Sequence, residues 1–499
     1  MAEEWTSNAN EAITISLVRP TANGVVKLAS FNPKFTYPIF GEEEQIFGYK
    51  GLKINLAYDA RNLRPHLTIK SSRKFSAIGE VEAVDIKEVM KEFLPLVALQ
   101  TRSEFEKALA SVPDTWTPPG KRIKAIEKNG ESHEIWMGSL ADPAVKQMLR
   151  RIEITVLLFI EGGSYIGLNA DGGDEPETSL ARWSVFFVYK KEQASEGTDK
   201  PNYIFEGFST VYDFWLYQQP TPPSSPRQDS APTESKSNDT WELPVGDLPL
   251  SSLPRRARIS QCIILPPYQG KGVGAFLYGT IFDLYSADPS TKEITVEDPN
   301  EDFDLLRDLC DLKYLRKNIP EFAALKVNSN MPIPEKDGVL HNNTQISKGG
   351  RASASADGIV DQTALEKMRV KAKIAPRQFW RLVEMHLMST LPASVRPRAD
   401  QEDDGSMKPP PPKADQKAYS LWRLLLKQRL YRRNLLVLAE MEITERIIKL
   451  NETVGNVEWE YARILERAEP KLSIAIGKRK QDVEMEDATP SKKARVEDV

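Results

Sequence analysis

Between Arg258 and Ala275 the chain reads Arg-Ile-Ser-Gln-Cys-Ile-Ile-Leu-Pro-Pro-Tyr-Gln-Gly-Lys-Gly-Val-Gly-Ala, and no other stretch restricts the fold as tightly. Arg258 to Leu265 is a β-branched run that reads as a strand, and Pro266-Pro267 ends it. Ala275 to Tyr285 then repeats apolar residues at helical spacing. A strand and a helix are therefore joined by a turn holding Gln269, Gly270, Lys271, Gly272, Val273 and Gly274. Main-chain N–H groups at a helix start can cradle a phosphate, and glycine lets the backbone approach it closely. A Walker loop is excluded, because Lys271 is followed by Gly272 where Ser or Thr is required. The dinucleotide fingerprint Gly-x-Gly-x-x-Gly/Ala does fit Gly270, Gly272 and Ala275, with Glu297 near the offset of a ribose-binding acid. Its context is missing: Pro266 to Gln269 separate strand from glycines, and no further strand–helix units follow to build a doubly wound sheet. On the residues alone, a pyrophosphate cradle and a plain glycine turn at a helix start both stay open.

The chain has 499 residues, room for two or three domains of about 150 each. A hydrophobic share of 40% with 35 prolines points to inserts that do not fold. The formal charge of -4 argues against a general polyanion binder and suits a basic partner. Two cysteines, Cys262 and Cys310, make no disulfide framework, and His66, His133, His341 and His386 are scattered without ligand spacing, so no metal is expected. The polar start, Met1 to Asn10, is no secretory signal, and no run of about 18 uncharged apolar residues occurs, so an intracellular chain without a membrane span is expected.

Along the chain, Leu52, Ile54 and Leu56 alternate as a half-buried strand, and Asp85 to Phe93 and Ser103 to Leu109 read as short helices. Ile152 to Ile160 has the profile of a buried strand ending at Glu161-Gly162-Gly163. Trp183 to Tyr189 and Tyr203 to Trp215 continue as an antiparallel meander, Ile294 to Val296 is a short strand, and a helix follows from Asp302 to Leu312. Residues 218–254 and 327–362 are polar, rich in Ser, Pro or Asn, and cannot bury enough apolar surface to offset their ordering entropy. From Thr363 the pattern is helical, and the Arg-rich stretch Leu421 to Arg433 reads as a solvated helix face more readily than as a nucleic-acid contact. The end carries Lys478 to Lys480 and Lys492 to Arg495, spaced like a bipartite nuclear import signal.

Two carboxylate positions close apolar segments: Glu297-Asp298 before Pro299, and Glu161. Amine acylation needs such a group, since a free lysine has a pKa of about 10.4 and withholding its proton costs roughly 4 kcal/mol near neutral pH. Cys262 lies mid-strand, where a cysteine is a packing residue rather than a nucleophile.

Gln269-x-x-Gly272-x-Gly274 between strand and helix, followed by Val296-Glu297-Asp298-Pro299, resembles the GCN5-related N-acetyltransferase core. The type B histone acetyltransferase catalytic subunits are resembled more specifically, in Phe40 to Ile54, Thr210-Val211-Tyr212, Arg258-Ile259-Ser260-Gln261 and Leu306-Arg307-Asp308. The resemblance spans most of residues 30–320. It implies an α+β chain: a mixed α/β N-terminal domain over 1–140, an acetyltransferase domain with a mainly antiparallel mixed sheet over 141–326, and a helical C-terminal domain over 363–468, with a disordered tail at 469–499. It implies Glu297 as general base, assisted by Glu161 and Asp298. It implies acetyl-CoA as cosubstrate, held by Cys262, Ile263, Ile264, Gln269, Gly270, Lys271, Gly272, Val273, Gly274 and Ala275, with Asn300 as a further contact. Glu42, Glu43, Glu44, Tyr212, Asp213 and Phe214 match surfaces that hold the tail of histone H-four, whose new copies such enzymes acetylate before deposition. A WD40-type histone chaperone subunit and residence in cytoplasm and nucleus are implied as well. The inserts and the charged end exceed the common pattern. Two rivals stand beside this reading: a non-catalytic histone-binding scaffold that retains the cleft, and a dinucleotide oxidoreductase.

Overall fold

A computed structural model describes residues 3–21, 24–128, 130–192, 202–216, 253–331, 358–399 and 410–468. Nearly all of the 218–254 insert, most of 327–362 and both terminal basic clusters lie outside these residues. The chain divides into two compact units, Met1–Cys310 with Arg369–Pro376, and Asp311–Met368 with Arg377–Val499.

The first unit carries two mixed sheets. Ile13–Thr21 (β1), Gly24–Phe31 (β2), Lys53–Asp59 (β3) and Pro65–Lys70 (β4) form the smaller, in the order β2-β1-β3-β4, with β1 and β3 parallel. The larger contains Lys121–Lys128 (β5), Glu131–Ser139 (β6), Trp183–Glu192 (β7), Asn202–Trp215 (β8), Arg255–Ile264 (β9) and Thr291–Val296 (β10). Its spatial order is β10-β9-β8-β7-β6-β5, and every neighbouring pair is antiparallel except β9 with β10. The fold is α+β. Val185 to Tyr189 are all buried, so the continuous apolar run of β7 reflects cover on both faces.

One face of this sheet packs on Pro143–Ile152 (α1) and Ile154–Phe159 (α2), whose Leu149, Ile152, Val156 and Leu158 join Phe205, Phe208 and Ile263 in one core. Here the strand expected over Ile152 to Ile160 is overturned. Asp142 caps α1, its carboxylate accepting from Ala144 and Val145 N–H, and Pro143 stands in the first turn. The helix so started runs to Ile152, and α2 follows after Glu153, with Ile154, Thr155 and Val156 buried. Packing outweighs the strand preference of a β-branched run. The other face of the sheet packs on Val273–Ala287 (α3), whose Tyr285 lies 6.4 Å from Phe186 between ring centroids. Glu301–Asn318 (α4) begins directly after the turn that follows β10.

In the second unit, Pro376–Thr390 (α5), Lys413–Arg433 (α6) and Ile443–Ala468 (α7) meet around one buried acid. Glu384 takes Arg429 Nε at 2.6 Å on one oxygen and the Tyr461 hydroxyl at 3.0 Å on the other, while Trp422 Nε1 donates to its carbonyl at 2.9 Å. Among the described residues no helix is long and apolar enough to cross a membrane.

Candidate functional site

β10 accompanies β9 only as far as the pair Ile259–Val296, and the next link is Glu297 N–H donating to Ile259 O at 2.9 Å. β9 then runs on through Ser260 to Ile264, and among the described residues no strand pairs with that edge. Leu265 N–H donates to Glu206 O on β8, so by the alternation of a strand the main-chain groups of Cys262 and Ile264 face the open edge. Because β9 and β10 are parallel, Glu297 and the glycine turn leave the sheet at the same end. They are separated by five strand residues, roughly 16 Å at about 3.3 Å per residue.

At the mouth of this opening β9 carries a bulge. Thr210 of β8 faces Gln261 and Val211 faces Ile259, which leaves Ser260 without a partner in the ladder. Ser260 Oγ donates to Glu297 Oε2 at 2.6 Å, and Arg258 Nη2 lies 3.3 Å from Oε1. Gln261, on the next position, donates from Nε2 to Ser164 O at 2.8 Å. That bond ties the turn after α2 to β9, and Glu161 is exposed on the same turn, next to Gly162, whose N–H donates to the Tyr37 hydroxyl at 3.1 Å. Glu161 thus closes a helix rather than the strand expected from the sequence. Its segment and Glu297 are nevertheless bonded to adjacent residues of β9. Asp298 is exposed with φ of 30°, a sharp turn before Pro299. Asn300 Oδ1 accepts from Phe303 N–H at 2.9 Å and so caps α4.

The glycine turn opens with a 3-10 turn, Pro266–Tyr268. Gln269 Nε2 folds back onto Ile264 O at 2.7 Å. Gly270 and Gly272 have φ of 71° and 85°, values that glycine adopts without steric cost. Val273, Gly274 and Ala275 form the first turn of α3, where N–H groups lack intrahelical acceptors; the first such bond runs from Phe276 N–H to Gly272 O at 3.1 Å. A Cβ on Gly274 would stand 2.9 Å from Leu306 Cδ1, so that side chain would have to shift, whereas the space above Gly270 is open. Lys271 Nζ lies 5.7 Å from the Tyr268 ring centroid. An unpaired strand edge leading to a helix start with free N–H groups fits an extended acyl-CoA: amide groups along the edge, diphosphate at the turn. Burial pushes the Cys262 thiol up to about 12, which keeps it protonated and inert.

Beside Glu297 lies an aromatic shelf. Tyr212 and Phe214 project from β8 with centroids 4.6 Å apart, Trp183 packs 4.7 Å from Tyr212, and Arg182 and Arg258 lie 4.4 Å from the Tyr212 and Phe214 rings. Asp213, between the two aromatics, points to the opposite face, where Arg255 Nη1 meets it at 2.6 Å. Desolvation raises the Asp213 carboxyl to about 6 in spite of that guanidinium. Glu42 and Glu43 are exposed on their turn. Glu44 is occupied internally, accepting from the Thr36 and Tyr37 N–H groups at 2.5 and 3.2 Å and from Asn10 Nδ2 at 2.6 Å. Ser260, Arg258, Gln261, Arg182 and Trp183 were not singled out for roles from the sequence, because a bulge and a cross-strand stack depend on register. The only signal was the segment Arg258 to Gln261 itself. Among the described residues no group of three or more His, Cys, Asp or Glu could hold a metal ion.

Residues 5–161 match the family model described as the histone acetyl transferase HAT1 N-terminus, and residues 346–392 match the one described as fungal HAT1, C-terminal. The histone acetyltransferase type B catalytic subunit of Gibberella zeae is 46% identical over 99% of both chains. The proteins of the same description from Pyricularia oryzae and Neurospora crassa are 43% and 41% identical, covering 100% of both chains, and 99% of this chain with 98% of the relative, respectively.

Proposed function

Since the chain belongs to the family of type B histone acetyltransferase catalytic subunits, we propose that it transfers acetyl from acetyl-CoA to lysines in the tail of newly made, non-nucleosomal histone H-four, with Glu297 as general base. It is a histone acetyltransferase, so the scaffold and oxidoreductase readings fall away. The observation that carries the finer reading is the position of Glu297 at the point where β10 leaves β9 and the strand edge opens.

The bound cosubstrate supplies a thioester carbonyl as electrophile. Main-chain groups of Cys262 and the N–H of Ile264, whose carbonyl is taken by Gln269, would pair with its pantetheine arm. N–H groups of Val273, Gly274 and Ala275 would hold the diphosphate. Glu297 accepts the ammonium proton of the incoming lysine, directly or through a water, so that the freed lone pair can attack the thioester carbonyl; the C–N bond forms as the C–S bond breaks, and CoA leaves as thiolate or thiol. Glu161 and Asp298 add negative charge that draws the cationic side chain in. Tyr212 and Phe214 form a shelf for the aliphatic stem of the lysine, and Glu42 and Glu43 attract neighbouring basic residues of the tail. Asp213 and Glu44 serve this surface indirectly, by fixing the strand and the turn. Partnership with a WD40-type histone chaperone and residence in both cytoplasm and nucleus belong to the same proposal.

Mass spectrometry of a mixed pool of free core histones, incubated with the protein and acetyl-CoA, tests the substrate. Acetylation concentrated on the tail of histone H-four is expected. Modification spread evenly over all four core histones contradicts the assignment.

A further inference from the structure

We propose that Ser260 is a positioning residue for acetyl transfer, keeping the Glu297 carboxylate out of a two-pronged grip by Arg258. The inference rests on the reading of Glu297 as the base. Three observations carry it.

Ser260 is the extra residue of the β9 bulge, and its hydroxyl is spent on Glu297 Oε2 at 2.6 Å. Arg258 reaches the other oxygen at the longer distance of 3.3 Å, with its guanidinium lying over Phe214 at 4.4 Å. Both side chains of that ion pair are about one-third exposed, at 36% and 37%, so the contact exchanges readily with an incoming cation. A guanidinium and a carboxylate prefer two parallel hydrogen bonds, and that arrangement engages both oxygens. The Ser260 hydroxyl competes for one of them. Oε2 is held by a neutral donor, while Oε1 remains loosely paired and open to the substrate ammonium.

During proton transfer one N–H bond of the ammonium breaks and an O–H bond forms at Oε1. The nitrogen lone pair becomes available for attack, and Ser260 still holds Oε2. Without the hydroxyl, the carboxylate turns both oxygens to Arg258 and is no longer presented to the amine. The bulge is what makes this possible, because a regular ladder leaves no unpaired residue at this point of β9.

The test is a set of Ser260 variants in the full chain, assayed on a histone H-four tail peptide for kcat and for KM of each substrate. Ser260→Ala is expected to lower kcat about ten- to hundredfold, the scale of a lost hydrogen bond to a charged group, with the KM for acetyl-CoA changed less than about threefold. Ser260→Thr, which keeps the hydroxyl, is expected to retain most of kcat. Ser260→Cys keeps the bulk with a weak donor and falls between them; it stands in if the alanine variant does not fold. In a Glu297→Gln background the alanine change is expected to have little further effect. Equal losses in both backgrounds mean that Ser260 acts through general stability, and the inference is overturned. Normal kcat in Ser260→Ala, with Glu297→Gln impaired, also overturns it while leaving the base in place. Normal kcat in Glu297→Gln overturns the base reading itself.

Discussion

Gln261 Nε2 donates to the Ser164 carbonyl at 2.8 Å, and this one bond fastens the turn that carries Glu161 to the strand that holds Glu297 through Ser260. Gln261 is 5% exposed, and its Oε1 is 3.3 Å from the Thr210 hydroxyl. Replacing it by leucine removes the donor to the Ser164 carbonyl and the acceptor of the Thr210 hydroxyl, which keeps only the main-chain N–H of residue 261 at 3.2 Å. The expected outcome for Gln261→Leu is a loss of about 1–3 kcal/mol in stability by urea unfolding. A rise in KM for the histone peptide that exceeds any rise for acetyl-CoA is expected alongside, because the displaced turn carries Glu161, which is proposed to draw the substrate lysine in. Equal changes in both KM values contradict this division of labour.

The glycine turn is where cosubstrate affinity is expected to be most sensitive. Gly270 has a φ of 71° with open space around its missing Cβ, so Gly270→Ala meets no clash and only the cost of the left-handed conformation, about 1–2 kcal/mol. Calorimetric titration of that variant with acetyl-CoA is expected to show about tenfold weaker binding. Histone peptide KM is expected to stay within about twofold. Unchanged acetyl-CoA affinity speaks against a diphosphate at this turn.

Asp213 gives a pH signature. Its carboxyl is raised to about 6 in the folded protein, chiefly by desolvation, against about 3.9 for an unfolded chain. Between those values the native state binds more protons than the unfolded state, so this group makes stability fall as pH rises from about 4 to 6 and leaves it lower above. Two pKa units correspond to roughly 3 kcal/mol at about 1.4 kcal/mol each. Arg255 retains Asp288 as a partner when Asp213 is neutralised. Asp213→Asn is therefore expected to be more stable than the unmodified protein at pH 8, by about 1–3 kcal/mol, with the difference shrinking below pH 5. Chemical unfolding of both proteins across that range checks it; a difference of opposite sign at pH 8 contradicts it.

The sequence made much of the six-stranded sheet legible because Trp183 to Tyr189 and Tyr203 to Trp215 combine β-branched and aromatic residues in runs short enough for strands. Strand, glycine turn and helix around Gly270 were legible for a different reason, since Pro266-Pro267 and the glycines mark both boundaries. The strand expected over Ile152 to Ile160 is helical because a short apolar run looks alike as a buried strand and as a buried helix, and the deciding signal, Asp142-Pro143 at the start of α1, begins ten residues upstream of Ile152. Glu44 read as one of three equivalent acids, yet its left-handed backbone, φ 51°, turns it inward onto Thr36 and Asn10. The contacts of Glu297 with Ser260 and Arg258 depend on a one-residue slip in strand register, which no hydrophobic pattern encodes.

The most direct test of the central claim is kcat of Glu297→Gln on a histone H-four tail peptide near pH 7, measured beside its affinity for acetyl-CoA. Loss of a general base is expected to lower kcat by about 10²–10⁴-fold, with acetyl-CoA binding within about twofold of the unmodified protein. Turnover within threefold of the unmodified protein contradicts the account, because the lysine proton then leaves by another route.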